Sequence, residues 1–95
     1  MIVGVSTIEI FFSENHSLKD KRQVTRKIVE KIRTRFNISV MEVEQTNLWQ
    51  RAHVGFAVVG VKKDHVDAAI ENVHNYVESL YVGEIIGTTT EIIVL

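Results

Sequence analysis

The sequence predicts an α+β fold in which two helices cover one face of a four-stranded antiparallel sheet, in the order β-α-β-β-α-β. Three observations predict it. Four segments rich in β-branched residues alternate with a two-residue period, and two segments carry apolar residues at three- and four-residue spacing. The length, 95 residues, accommodates one core and no second, so residues 1–95 are read as a single domain. With 45% hydrophobic and 24% charged residues the chain has a globular composition, which excludes a disordered tail.

Each element has its own signature. In residues 2–12, Ile8, Ile10 and Phe12 share one face while Thr7 and Glu9 take the other, the alternation of a strand. Residues 13–16 read as a loop. Ser17 then opens a helix as its N-cap, with Asp20 three residues on in the spacing of a capping box. At about 100° per residue, Leu18, Val24, Ile28, Val29, Ile32 and Phe36 fall within an arc of about 140°, the width of a core-facing stripe. This helix is predicted to stop near Asn37. Residues 38–44 alternate again in character, Met41 and Val43 against Ser39 and Glu42. A polar bend at Gln45, Thr46 and Asn47 leads to residues 51–61, where Ala52, Val54, Phe56 and Val58 share a face, and the two segments form an antiparallel hairpin. Asp64 is predicted to cap the second helix, whose apolar stripe is Val66, Ala69, Ile70, Val73, Val77 and Leu80 and whose end is set by Gly83. Residues 85–95, with three consecutive threonines, form the last strand.

The economical packing of this order is a split βαβ sandwich, the ferredoxin-like arrangement. That fold hosts many unrelated functions and licenses none. The first strand is apolar on both sides, with Val3, Val5 and Phe11 opposite Ile8, Ile10 and Phe12, and the third adds Ala57, Val59 and Val61. A sheet with one wet face alternates more cleanly. The face away from the helices is therefore expected to be covered by a second copy of the chain, as a homodimer.

Several function classes lack their residues. Without cysteine there is neither a disulfide framework nor a thiolate metal site, which suits a reducing compartment. The apolar start has no basic leader and is interrupted by Ser6, Thr7 and Glu9, and no run approaches the ~20 residues of a membrane span. A soluble cytoplasmic protein with no membrane partner is expected. His16, His53, His65 and His74 form no i, i+4 pair and no zinc motif, and they read as structural or surface residues. Phosphate-loop, nucleophile-elbow and dinucleotide-binding glycine patterns are missing too. The chain is read as a non-enzyme without cofactor or metal. Carboxylates near strand ends, such as Glu14 and Glu84, leave a metal-dependent nuclease as a third reading only.

Charge is the informative feature. Residues 17–36 hold eight basic residues (Lys19, Lys21, Arg22, Arg26, Lys27, Lys31, Arg33 and Arg35) against Asp20 and Glu30, a net +6, which leaves −7 for the rest. Lys19, Arg22, Arg26 and Arg33 project as one outward row about 21 Å long, flanked by Lys27 and Lys31. Long cationic side chains on a rigid row reach successive phosphates, so structured RNA or a ribosomal surface is the first expected partner. The start of the helix is a narrower anion site, with Lys19, Lys21 and Arg22 around its N–H groups, although Ser17 and Asp20 compete for those donors. The alternative is a protein-interaction module whose basic helix meets an acidic partner. The acidic residues Asp64, Asp67, Glu71 and Glu78 of the neighbouring helix could also simply complement the basic face. RNA recognition through the sheet is not expected. Val54-Gly55-Phe56-Ala57-Val58 has a valine where a second stacking ring is wanted, and the first strand offers only Val3-Gly4-Val5. Trp49 is expected to seal a core edge or an oligomer seam.

Three blocks then resemble a known family: residues 16–22 (His-Ser-Leu-Lys-Asp-Lys-Arg), residues 35–40 (Arg-Phe-Asn-Ile-Ser-Val), and Glu42-Val43 with residues 48–52 (Leu-Trp-Gln-Arg-Ala). The chain resembles the YlxP-like family of small bacterial proteins, a domain of unknown function, over essentially its full length. The resemblance implies a ferredoxin-like fold. Because genes of that family often neighbour translation-initiation and ribosome-maturation genes, it also implies a role near RNA or the ribosome. It carries over no catalytic residue.

Overall fold

Apolar rows on alternate strand positions meet two amphipathic helices in the computed structural model, in which residues 1–44 and 48–95 are described. The elements are β1 (Ile2–Phe11), α1 (Leu18–Arg35), β2 (Ser39–Glu44), β3 (Arg51–Gly60), α2 (Lys63–Ser79) and β4 (Glu84–Val94). They build one antiparallel sheet in the order β2-β3-β1-β4, a ferredoxin-like α+β arrangement. Central β1 pairs with β3 from Ile2↔Gly60 to Phe11↔Arg51 and with β4 from Ile2↔Val94 to Phe11↔Glu84, with a register shift between Glu9 and Ile10. The bend at Gln45, Thr46 and Asn47 lies outside the described residues.

The helix-side rows carry the core. Ile8, Ile10 and Phe12 of the first strand and its exit meet Ala52, Val54, Phe56 and Val58 of β3, and Ile28, Ile32, Val66, Ile70, Val73 and Val77 close over them. Each such aliphatic side chain contributes about 1.5–3 kcal/mol by leaving water. Gly4 lets α2 lie directly on β1. A Cβ there would stand 2.5 Å from Val66 Cγ1 and 2.6 Å from Ile70 Cδ1.

Local details differ from the sequence reading at helix ends. Ser17 caps α1 as expected, its Oγ accepting from Asp20 N at 3.1 Å. The reciprocal bond reaches one residue further upstream, since Asp20 Oδ2 accepts from His16 N at 3.1 Å. α1 ends at Arg35, near Asn37 as expected, where Phe36 turns extended and sets its ring edge-on to Tyr76 at 5.5 Å. Asp64 does not cap α2. That helix opens a residue earlier, at Lys63, with Lys62 as an N-cap lacking a side-chain bond, and Asp64 Oδ1 accepts from His65 N inside the first turn. Nor does Gly83 end it. α2 stops at Ser79, and the left-handed residue beyond it is Tyr81, with φ of 52°. The role of Gly83 is steric, because a Cβ there would lie 2.7 Å from Ile10 Cγ2 and 2.9 Å from Phe11 O.

Both helices sit on one face. The opposite face is left to Val3, Val5, Thr7, Met41, Val43, Ala57 and Val59, with Met41 and Val59 well exposed. Among the described residues, no helix is long and apolar enough to cross a membrane.

Candidate nucleic-acid interface

The eight cations of α1 do not share one fate, because a helix this tightly docked turns some positions inward whatever their charge. Lys21 stands one turn before Thr25 and two before Ile28, so it lies on the buried stripe. It is only 2% exposed, and its Nζ reaches across to Glu42 Oε1 of the edge strand β2 at 3.8 Å. Thr25 beside it is buried too, and its Oγ1 has no hydrogen-bond partner among the described residues. Lys21, which the outward row read from the sequence does not include, is thus lost to the narrower anion site expected at the helix start. Ser17 Oγ already takes the Asp20 N–H there, and the Asp20 carboxylate, which accepts from His16 N, sets a negative charge beside the remaining donors.

Arg33 is partly engaged. Its Nη1 donates to Glu30 Oε1 at 2.8 Å and its Nη2 to the carbonyl of Val40 at 3.2 Å, which ties α1 to the edge of β2. The ion pair is solvent-exposed and contributes no more than about 1 kcal/mol, so it yields readily to another anion. Arg35 stacks over the Tyr76 ring at 5.3 Å. Lys19, Arg22, Arg26, Lys27 and Lys31 are exposed, and among the described residues none of them pairs with a carboxylate.

Their placement divides them again. Arg22, Arg26 and Arg33 line a groove of 620 Å³ between α1 and β2, walled by Val29, Met41 and Glu42. Lys19 continues the same row by one turn. Lys31 instead borders a smaller hollow between the helices with Thr34, Arg35 and Tyr76. Lys27, about 100° around the helix from Arg26, lies on that second flank as well. The six residues proposed from the sequence thus form a row of four beside β2 and a pair facing α2. The acidic residues of α2 do not neutralise either group. Among the described residues no ion pair joins the two helices, and Asp67 is held by Lys63 of its own helix at 2.9 Å.

The histidines separate by environment. His16 and His65 are exposed and His53 is half-buried. His74 meets Ser6 Oγ at 2.8 Å and sets its ring edge-on to Phe56. Because the Ser6 hydroxyl donates to Thr89 O at 2.7 Å, His74 Nε2 must be the donor to Ser6. Burial pushes the His74 pKa below its ordinary value, with Glu71 pulling weakly the other way. A histidine whose folded pKa lies below its unfolded value of 6.5 binds fewer protons folded than unfolded. Its contribution is complete above that pH and is lost as pH falls through 6.5 toward the folded value. Wild-type protein is therefore expected to lose more stability than His74→Gln between pH 7 and pH 5, measured by urea unfolding. Equal losses in the two proteins would contradict this assignment.

Other candidates do not assemble. Among the described residues no group of three or more His, Asp or Glu side chains could hold a metal ion. Glu14 and Glu84 do share one hollow at the end of the sheet, with Ser13 and Tyr81, but no third carboxylate or imidazole joins them. Trp49 does not seal the core edge. It is 49% exposed beside exposed Leu48, and among the described residues its carbonyl is held by Asn15 Nδ2 at 3.1 Å. Phe56 points into the core against His74 and not onto the open face, which removes the sheet as a base-stacking platform.

A family model described as "Protein of unknown function (DUF503)" matches residues 3–90. The uncharacterized protein YlxP of Bacillus subtilis (strain 168) is 28% identical over 78 residues, which cover 82% of this chain and 85% of that protein.

Proposed function

We propose, starting from the fact that this chain belongs to the DUF503 family of proteins of unknown function, that it binds structured RNA or a ribosomal RNA surface without catalysing a reaction on it. The contact is the row Lys19, Arg22, Arg26 and Arg33 beside the groove between α1 and β2, with Lys27 and Lys31 as outlying cations. One observation carries the reading: Arg22 and Arg26 stand exposed on adjacent turns with no carboxylate partner among the described residues, although the chain as a whole is slightly acidic. Cations left uncompensated on one rigid ridge repel one another, and an incoming polyanion relieves that repulsion while releasing its own counterions. Arginine suits the role because its planar fork grips a phosphate through two hydrogen bonds.

The test is what accompanies the protein from its own cells. RNA is expected to co-purify, to be released by nuclease, and to be lost from the Arg22→Glu/Arg26→Glu double variant. An acidic protein that stays bound after nuclease and leaves only on charge reversal would overturn the reading in favour of a protein-interaction module.

A further inference from the structure

The sheet face turned away from the helices carries an apolar patch that the RNA reading does not use. Val3, Val5, Met41, Val43, Val59 and Ile93 share it, as the pairings Val3↔Val59, Val3↔Ile93 and Met41↔Gly55 require. Val59 is 65% exposed and Met41 61%. Ordinary strands facing water place polar residues at such positions. The described charges on this face sit at its borders: Glu9 pairs with Arg51 at one end, and Glu91, on the outer strand β4 beside Val5, lines one side of its central hollow.

The relief of the face is uneven in a way that matters. Its middle is built from small residues, Thr7, Gly55 and Ala57, and Val43 folds down over Gly55, where a Cβ would collide with it. A shallow hollow of 540 Å³ results, and Met41 projects at its margin. Knob and hollow therefore occur on the same surface, which is what a two-fold interface demands of a single patch.

We propose that this face packs against the same face of a second copy of the chain, as a sheet-on-sheet homodimer. The area suffices. Strands of 10, 6, 10 and 11 residues, about 4.8 Å apart and at about 3.3 Å per residue, present roughly 600 Å² per subunit, or roughly 1,200 Å² per pair. Stable interfaces begin at about 1,000–1,200 Å². The edge of β2 is a poorer docking site, since Arg33 already occupies its Val40 carbonyl. Packing through the open face leaves both basic ridges outside, on opposite sides of the dimer, with Met41 shared between the groove and the interface.

Sedimentation of the full chain between about 1 and 100 µM tests the proposal. Wild type is expected to be a dimer, and Ala57→Glu, which puts a charge in the middle of the face, to be monomeric. Val59→Lys alters a site already exposed in the single chain and serves as the second variant if Ala57→Glu does not fold. It is expected to weaken dimerisation at least about tenfold with no loss of thermal stability at low concentration. A wild type that stays monomeric at about 100 µM overturns the proposal. So does a dimer that Val59→Lys leaves intact, because its interface must then lie elsewhere, for example along the β4 edge.

Discussion

Glu42→Ala is expected to lower the unfolding free energy by about 2–3 kcal/mol, while Lys21→Met costs less than about 1 kcal/mol. The asymmetry follows from where the two charges sit. The Lys21 ammonium is held out of water, 2% exposed, whereas Glu42 at 20% exposure still touches solvent. Deleting the carboxylate removes a counter-charge from an ammonium that cannot reach water without pulling α1 off the sheet. Deleting the cation leaves a carboxylate that water can reach, and a methionine keeps the apolar stem that fills the space next to Thr25. Urea unfolding at neutral pH measures both variants. Equal costs would show that the ammonium is not shielded from water.

The second large effect is on binding. Reversing Arg22 and Arg26 together to glutamate is expected to weaken affinity for a ribosomal RNA fragment about 100-fold near 0.1 M salt. Each reversal removes one phosphate contact and adds one repulsion. Since both side chains are exposed and without a carboxylate partner among the described residues, the unfolding free energy should stay within about 0.5 kcal/mol of wild type. That separation makes them better probes than Arg33. Arg33→Ala would also break the bonds to Glu30 and to the Val40 carbonyl, mixing a stability effect into the binding measurement.

The order of elements was legible because periodicity reports on burial, and burial decides these elements. Ile8, Ile10 and Phe12 against Thr7 and Glu9, or Val66, Ile70, Val73 and Val77, leave little choice of secondary structure. Helix ends were less legible, because the residue types that favour a terminus do not always occupy it. Asp64 is an acceptor suited to a cap, yet α2 starts before it, and its carboxylate serves the adjacent N–H. Gly83 suits a left-handed terminus, yet close packing on Ile10 and Phe12 claims it, and Tyr81 takes the positive φ.

The candidate site was legible in charge and not in environment. A count of lysines and arginines places Lys21 with the rest, although its spacing to Thr25, Ile28 and Ile32 puts it on the core side of the helix. That spacing is why Lys21 is absent from the outward row, yet the charge count still placed it in the anion site expected at the helix start. The clamp by Arg33 could not be read from the chain, because its partner is a backbone carbonyl on another element. The same holds for Ser6 and His74, which are 68 residues apart and meet only through the packing of α2 on β1.

The central claim is that an uncompensated cationic row on α1 neutralises phosphates. The dependence of RNA affinity on salt tests it most directly. With three or four phosphates contacted by Lys19, Arg22, Arg26 and Arg33, the logarithm of the association constant should fall against the logarithm of salt concentration with a slope of about −2 to −3 on single-stranded segments. The Arg22→Glu/Arg26→Glu variant should be shallower by about 1.4. A wild-type slope near zero, or one that the double reversal leaves unchanged, would contradict the account.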